Sequence, residues 1–328
     1  MGETTGIEWT DATWNPVTGC TKVSPGCDSC YAIRETNRHR NLPKYAGLVS
    51  NMQKVHITGG LDWTGEVRCH PDLLEVPLHW KTPRRIFVCS VSDLFHSKVP
   101  WEFIAKVFDV MIDCPQHTFQ LLTKRPGRMA FWADNMAAIC EERGLPWPWP
   151  PWIWAGTSVE SQRYAPRLDV LARVPAKVRF VSAEPLLGPL NLKPYFFKCS
   201  GTCAPTPDSP HCACKGLAIN WVISGGESGP GARPSHPDWF RRIRDDCQAV
   251  GIPYFHKQNG EYIPKRQTSL PCPAEWGTIS ADGTWWSKTT PWNGHDDDGV
   301  NGEAVLYRVG KKAAGALLDE REWREIPT

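Results

Sequence analysis

Three cysteines stand close together near the start of the chain, in the stretch TGCTKVSPGCDSCYA (residues 18–32). They are Cys20, Cys27 and Cys30. Four thiolates close a structural zinc site, whereas three leave one coordination position open, as chemistry at a metal or cluster requires. A closed zinc site is the alternative, with a fourth ligand from His39, Cys69 or His70. The stretch therefore predicts either an open iron–sulfur centre or a structural zinc.

A second group of thiols lies in CSGTCAPTPDSPHCAC, residues 199–214. Its members are Cys199, Cys203, Cys212 and Cys214. The segment is rich in Pro and Ser, so we predict a cysteine-rich insertion over 197–217. Four thiols indicate a structural zinc, and the tight Cys-x-Cys end leaves an auxiliary iron–sulfur cluster as the alternative. Metal-free thiols on a loop are the third interpretation.

Composition and charge exclude some classes of function but do not identify one. The chain has 328 residues, 41% hydrophobic and 22% charged, with a net charge of +2. These values are typical of a globular protein, and they exclude a global basic field for nucleic acid while allowing a local groove. No signal-like start and no apolar run long enough for a bilayer is present. We therefore predict a cytoplasmic protein without membrane contact, whose clustered cysteines are metal ligands before they are disulfides.

Six short β-type runs alternate with helix-like stretches through the middle of the chain. The runs cover 85–93, 119–125, 152–160, 178–185, 220–229 and 252–260, and the helical stretches cover 100–114, 127–144, 161–174 and 236–251. This alternation predicts an α/β fold, a parallel (β/α) partial or full TIM-like barrel. We place the barrel in residues 1–260 and a small C-terminal cap, a β-hairpin and a helix, in 261–328.

Each β-type run ends in polar residues, which a parallel barrel gathers at one mouth, its active face. They include Asp93, Lys124, Ser158, Glu160, Glu184, Glu227 and Lys257. Glu227, in SGGESG, is the first candidate for a catalytic carboxylate because its glycines let the backbone approach a ligand closely. Asp93 and Lys257 complete the predicted catalytic set. Neither a dinucleotide-binding motif nor a P-loop is present.

Two other segments could in principle contact nucleic acid. PWPWPPWIW (146–154) offers aromatic faces for stacking, but Trp152 and Trp154 lie on a predicted strand, so we expect packing there. The arginines of FRRIRDD (240–246) lie on a predicted helix, where a solvated charged face is expected.

Several motifs occur in a specific order along most of the chain. They are IEWTDATWNPVTGC, SVSDLFH, LLTKRP, SAEPLLGP, SGGESG and RVGKKAAGALLD. The three cysteines, followed by SVSD, LLTKRP and a downstream RLDVL, resemble the spore photoproduct lyase branch of the radical S-adenosylmethionine superfamily. The six motifs together are more closely similar to an uncharacterised three-cysteine family associated with phages and prophages. The resemblance implies a partial α/β barrel whose three-cysteine loop follows the first strand.

The resemblance also implies the cofactors and their ligands. Cys20, Cys27 and Cys30 would hold a [4Fe–4S] cluster, whose free iron binds S-adenosyl-L-methionine. Ser90, Ser92 and Asp93 would meet the amino group of that cofactor, and Lys124, Ser158 and Glu160 would lie near its carboxylate or ribose. Tyr31 and Glu184 complete the predicted cofactor-binding set.

The activity implied is reductive cleavage to a 5′-deoxyadenosyl radical that abstracts hydrogen from a substrate. We expect that substrate to be a nucleobase, nucleotide or nucleic acid that is modified or repaired. An electron donor such as flavodoxin or ferredoxin is implied, and a partner protein fits the same interpretation. The alternative is a non-catalytic, zinc-stabilised module that binds nucleic acid or protein.

Overall fold

The structure is a computed structural model. It describes residues 5–51, 60–143, 149–196, 219–269, 271–288 and 302–328. The second cysteine group lies outside these ranges, as does Trp147. Predictions about those residues therefore stay predictions.

The described residues form strands and helices in an α/β order. The strands are β1 (Ala12–Trp14), β2 (Val17–Thr18), β3 (Val49–Asn51), β4 (Leu61–Trp63), β5 (Arg68–Cys69), β6 (Arg85–Val88), β7 (Thr118–Thr123), β8 (Ile153–Ser158), β9 (Arg179–Ala183), β10 (Trp221–Gly225), β11 (Tyr254–Gln258), β12 (Tyr262–Pro264), β13 (Trp276–Ile279), β14 (Trp285–Lys288), β15 (Ala304–Arg308), β16 (Leu317–Leu318) and β17 (Arg321–Glu322). The helices are α1 (Tyr31–Arg38), α2 (Trp101–Ile112), α3 (Pro126–Glu142), α4 (Arg167–Leu171), α5 (Pro237–Ala249) and α6 (Lys311–Ala314).

Seven of the strands form one parallel sheet, in the order β1-β6-β7-β8-β9-β10-β11. The sheet curls into a half-barrel with β1 at one edge and β11 at the other. The predicted α/β class and the partial parallel barrel are thus confirmed. All seven carboxyl ends lie at the same edge of the sheet, which is where the predicted site residues stand.

The two faces of the half-barrel are both apolar. On the inner face, Trp9 packs with strand residues such as Phe87, Trp154 and Trp221. On the outer face, residues one position away, such as Ile86, pack in the main core with helices α2, α3 and α5. Because both faces are buried, the strand sequences are continuously apolar and do not alternate between apolar and polar residues.

The helices largely follow the predicted stretches. The predicted helix over 161–174 is shorter in the structure, because a 3₁₀ turn at Gln162–Tyr164 precedes it and Pro166 has no amide hydrogen to donate. The helix expected in KKAAGALLD ends at Ala314, since Gly315 has a φ of 63° that few other residues adopt.

The tryptophan-rich segment packs, as expected. Trp149 is buried and its Nε1 donates a 2.7 Å hydrogen bond to the Ile153 carbonyl. Trp152 donates to the Met111 carbonyl at 2.8 Å, and Trp154 lies in the inner cluster. In the described part of this segment, the indoles are therefore structural.

The C-terminal part adds a second sheet, of four antiparallel strands in the order β12-β15-β13-β14. The chain then returns to the half-barrel beside β11, where the His256 amide donates to the Trp323 carbonyl at 2.9 Å. This return covers an edge strand that would otherwise expose unpaired backbone groups. The domain boundary at residue 260 stays a prediction. Within the described ranges, no helix is long and apolar enough to cross a membrane.

Candidate functional site

The three clustered cysteines lie over the carboxyl ends of the half-barrel strands. They stand in the loop that follows β1 and β2 and leads into α1, and Gly19 of this loop bridges to Ser92 after β6. Cys20, Cys27 and Cys30 line one pocket of about 120 Å³. The structure thus brings together the three thiols that the spacing singled out.

Arg125, two residues after the end of β7, holds the first part of this loop. Its Nη1 donates to Asp93 Oδ2 at 2.8 Å and lies 3.7 Å from Cys20 Sγ. Its Nη2 donates to both the carbonyl and the hydroxyl oxygen of Thr21 at 2.9 Å. His96 Nε2 lies 2.9 Å from the same hydroxyl. One guanidinium therefore joins a strand end to the cysteine loop.

Glu160, after β8, holds the middle of the loop. Its carboxylate accepts from Ser24 Oγ at 2.6 Å and from Arg167 Nη1 at 3.0 Å. A Cβ atom at Gly26 would lie 2.5 Å from Glu160 Oε1, so only glycine leaves room for this carboxylate. Lys124 Nζ lies 3.8 Å away from Oε1.

Arg233 joins the loop to the far side of the half-barrel. Its side chain binds both carboxylate oxygens of Glu227, with Nη2–Oε1 at 2.6 Å and Nε–Oε2 at 2.8 Å. The same Nη2 donates to the Pro25 carbonyl at 2.8 Å, and Nη1 lies 3.5 Å from Asp28 Oδ2. Glu227 is 4% exposed, so this pair is largely shielded from water.

A larger cavity of about 300 Å³ adjoins the cysteine pocket. Cys30, Lys124 and Ser158 line both spaces. The apolar part of its wall comes from Ile7, Trp9, Phe87 and Leu122, and polar groups from later strands form the opposite wall. On that wall, Lys257 Nζ donates to Glu184 Oε1 at 2.7 Å, and Gln258 Nε2 donates to the same oxygen at 3.2 Å.

The predicted site residues fall into two groups by what their side chains contact. Those that line a cavity are Cys20, Cys27, Cys30, Tyr31, Ser90, Ser92, Asp93, Lys124, Ser158, Glu184, Glu227 and Lys257. Glu160 lines neither cavity, and its carboxylate instead accepts a hydrogen bond from Ser24 of the cysteine loop. The expectation that strand ends gather these residues at one mouth therefore agrees with the structure, while their roles stay predictions.

The three side chains predicted to meet the amino group of the cofactor, those of Ser90, Ser92 and Asp93, are already engaged within the protein. Asp93 accepts from Thr123 Oγ1 with both oxygens, at 2.8 and 2.9 Å, and also from Arg125. Ser92 Oγ donates to the Val17 carbonyl at 2.7 Å. Ser90 Oγ donates to Asn15 Oδ1 at 3.2 Å. These bonds hold the loop and the strand ends, so a cofactor amino group would have to share or displace them.

Several polar residues at the site were not predicted to belong to it. They include Ser29, Arg34, Arg125, Arg233, Gln258 and Lys311. Arg125 had a signal, because it is the last residue of the predicted β-type run 119–125 and directly follows Lys124. Arg233 had none, since it lies eight residues beyond β10 and reaches the cysteine loop only through the fold.

Burial favours the protonated thiols of Cys20 and Cys30 when no metal is bound. Burial raises the pKa of Cys20 to about 12 and also raises that of Cys30. Burial opposes the charge of Lys124, but Cys27 and Glu160 outweigh it and raise the pKa of this lysine, which stays cationic. Thiolate ligands would therefore form here with release of protons on metal binding, beside cations that favour their negative charge.

The donor set at the pocket consists of three thiols, those of Cys20, Cys27 and Cys30. Within the described ranges, no three His, Cys, Asp or Glu side chains are arranged to hold one metal ion. His70 lies 2.8 Å from Thr18 Oγ1 and His39 lies 3.1 Å from Glu35 Oε1, so neither completes a site with the thiols. Three thiols that line one pocket are the donor set that a cubane with one open iron uses.

Comparison with known proteins identifies a family for nearly the whole chain. No curated protein and no solved structure is detectably similar to it. A family model described as "Protein of unknown function (DUF5131)" matches residues 4–327. The chain therefore belongs to the DUF5131 family.

Proposed function

We propose that this protein is a radical S-adenosylmethionine enzyme whose [4Fe–4S] cluster is held by Cys20, Cys27 and Cys30. One observation carries the proposal. The three thiols surround a pocket at the carboxyl ends of a parallel half-barrel, and Cys30 also borders the adjoining cavity of about 300 Å³. A reactive centre at this position opens directly onto space for a small ligand.

When bound there, the cluster would supply the electron for reductive cleavage of S-adenosylmethionine to a 5′-deoxyadenosyl radical, which would abstract hydrogen from the substrate. The chain's own residues have three tasks. Lys124 and Arg125 place positive charge beside the thiolates. Apolar Phe87 and Leu122 exclude water from the floor of the cavity. Arg233 holds the loop against the last strands of the half-barrel.

The Glu184–Lys257 pair is the best-placed acid–base group of the cavity. The two side chains are 17% and 15% exposed and face a ligand from the inner face of β9 and β11. Glu184 Oε1 is bound by Lys257 and Gln258, and its Oε2 has no partner among the described residues. That oxygen can orient a ligand hydroxyl or amine. Glu227, by contrast, acts in this proposal through Arg233, and its predicted catalytic role stays a prediction.

We further propose that the substrate is a nucleobase, a nucleotide or nucleic acid. The support for this substrate class is the resemblance of the sequence motifs to a branch whose members repair nucleic acid. A flavodoxin or ferredoxin would supply the electron, and a second metal, zinc or an auxiliary cluster, would be bound by the cysteines of 199–214.

Metal analysis of anaerobically purified protein tests the proposal. We expect about four iron and four sulfide per chain at this site. Both should be lost in Cys30→Ala, together with formation of 5′-deoxyadenosine from S-adenosylmethionine. Cys140→Ala is the matched control, because this thiol lies on α3 away from both pockets. Metal held by the second cysteine group would be unchanged in both variants.

The zinc-stabilised binding module predicts a different result. Zinc alone would be found after attempted iron–sulfur reconstitution, and Cys30→Ala would lower the melting temperature as metal is lost. That outcome would refute the radical mechanism.

A further inference from the structure

The larger cavity contains polar atoms that nothing in the described protein satisfies. Ser29 Oγ, Arg34 Nη1 and Gln258 Oε1 are buried and have no hydrogen-bond partner in the part of the chain that the structure describes. All three residues line the cavity, and Ser29 and Gln258 are only 5% and 4% exposed. Buried polar groups are almost always hydrogen-bonded, so these atoms indicate the polar groups of an absent ligand.

The unsatisfied atoms differ in kind along the cavity wall. Ser29 Oγ and Arg34 Nη1 are donors on the cysteine loop and α1, whereas Gln258 Oε1 is an acceptor at the end of β11. The carboxylate of Glu184 lies beside this acceptor, because Gln258 Nε2 donates to it at 3.2 Å. A complementary ligand therefore accepts at one place and donates at another.

Some of the cations that line the cavity lie near a carboxylate and others do not. Lys124 and Lys257 each lie near a carboxylate, at 3.8 Å from Glu160 and 2.7 Å from Glu184 respectively. Two further cations line the cavity, Arg34 and Lys311, and neither has an ion-pair partner among the described residues. The wall of the cavity therefore carries two cations without a paired carboxylate among the described residues.

Arg34 is held in place by the backbone after β10. Its Nη2 donates to the Ser228 carbonyl at 3.1 Å, which leaves Nη1 free to donate elsewhere. Gly229 has a φ of 98°, and a Cβ atom there would lie 2.5 Å from Nη1. The glycine therefore makes room for a guanidinium whose direction is set before any ligand binds. Such a pre-organised donor binds an oxyanion strongly.

We propose that Ser29, Arg34 and Lys311 form an anion subsite, and that it binds the phosphate of a nucleotide whose base or sugar donates to Gln258 Oε1 and Glu184. This inference rests on the proposed function, since it specifies the substrate class of the same cavity. The carboxylate of S-adenosylmethionine has the same oxyanion chemistry, so the test must separate the two sources. The cavity volume of about 300 Å³ suits one nucleotide-sized ligand.

Calorimetric titration of the full-length, metal-free protein tests the subsite without depending on the cluster. The probes are the common ribo- and deoxyribonucleoside 5′-monophosphates and the matching nucleosides. We expect at least one monophosphate to bind about tenfold or more tightly than its nucleoside, the effect of a charge-assisted hydrogen bond. Arg34→Gln should remove this difference. In Gln258→Leu both ligands should bind more weakly while the difference remains.

Arg38→Gln is the matched control, because Arg38 lies on the same helix and its exposed side chain pairs only with Glu35 among the described residues. It should bind like the wild type, and circular dichroism should show all variants folded. Equal binding of nucleosides and monophosphates, or binding of neither, overturns the proposal. If Arg34→Gln weakens S-adenosylmethionine but no nucleotide, the anion is the cofactor's carboxylate and the nucleotide assignment is wrong. Failure of the proposed function would show instead in the iron and sulfide analysis.

Discussion

Two buried polar networks lie in different parts of the half-barrel. One lies at the carboxyl ends of the strands, where it joins the cysteine loop to Asp93 and Arg125 and borders the cysteine pocket. The other joins Ser224, Tyr254 and His256 under α5, with Ser224 Oγ 2.6 Å from Tyr254 Oη and 3.0 Å from His256 Nδ1. Ser and His at this distance are chemically able to form a nucleophile–base pair.

The difference between the two networks is access. His256 Nε2 lies 3.0 Å from Asn259 Oδ1, so both ring nitrogens are satisfied, and neither Ser224 nor His256 lines the cavities described above. His256 is fully buried on the outer face, whereas Lys257, the next residue, lines the larger cavity. Residue type therefore does not identify chemistry here, because one position along a strand moves a side chain from the cavity to the core.

The largest expected effect is at Arg125. Arg125→Ala removes one partner of a buried ion pair and leaves Asp93 uncompensated, which costs about 3–5 kcal/mol of unfolding free energy. It should also lower the iron bound per chain, because Thr21 and Cys20 lose their anchor. Urea unfolding and iron analysis measure the two effects.

Arg173→Ala is the control for this substitution, since Arg173 pairs with Asp134 where both side chains are at least half exposed. We expect a change below about 1 kcal/mol there. Equal losses of unfolding free energy in Arg125→Ala and Arg173→Ala would show that the buried strand-end ion pair stabilises the protein no more than an exposed pair does.

Ser224→Ala should separate stability from function. The substitution leaves Tyr254 Oη and His256 Nδ1 short of a buried partner and costs about 1–3 kcal/mol. Iron content, S-adenosylmethionine cleavage and nucleotide binding should not change. Loss of activity in a variant that is still folded would contradict the structural role assigned to this network.

The smallest expected effect is a dependence of stability on pH. Burial lowers the pKa of His256 to about 4, from an ordinary value near 6.5, so the unfolded chain takes up the proton first. The unfolding free energy should therefore be largest above about pH 6.5 and fall as the pH falls towards 4. His256 alone contributes about 1 kcal/mol of loss between pH 7 and pH 5.5.

Urea unfolding of wild type and His256→Gln at these two pH values measures this contribution. The glutamine variant should be less stable at pH 7 but should lose about 1 kcal/mol less on acidification. Identical losses would show that His256 takes up its proton over the same pH range in the folded and the unfolded protein.

Much of the scaffold could be predicted from local patterns. The six β-type runs and the helices α2, α3 and α5 occur where the alternation predicts them, because apolar runs bounded by Pro and Gly are local signals. The short strand β1 was not delimited in advance. Its three residues carry too little periodicity, and it is defined by pairing with β6, more than 70 positions away.

Less of the site could be predicted. The three thiols and the polar strand ends were found from spacing, since a parallel sheet places all its carboxyl ends together. The cationic side chains that hold the loop were not found, because Arg233 reaches Pro25 across 208 positions. Ser29, Arg34 and Gln258 could be recognised as ligand-binding candidates only from the fold. Each has a buried polar atom without a hydrogen-bond partner among the described residues.

By itself, the sequence determined the α/β alternation, the proximity of Cys20, Cys27 and Cys30, and the polar residues that follow each strand. The tertiary structure alone decided which polar groups face the cavities, which are consumed by contacts within the protein, and which buried atoms are left for a ligand. The physical reason is the distance along the chain over which each kind of signal acts. Periodicity and spacing act over a few residues, whereas burial and hydrogen-bond satisfaction depend on groups that meet only after the sheet has formed.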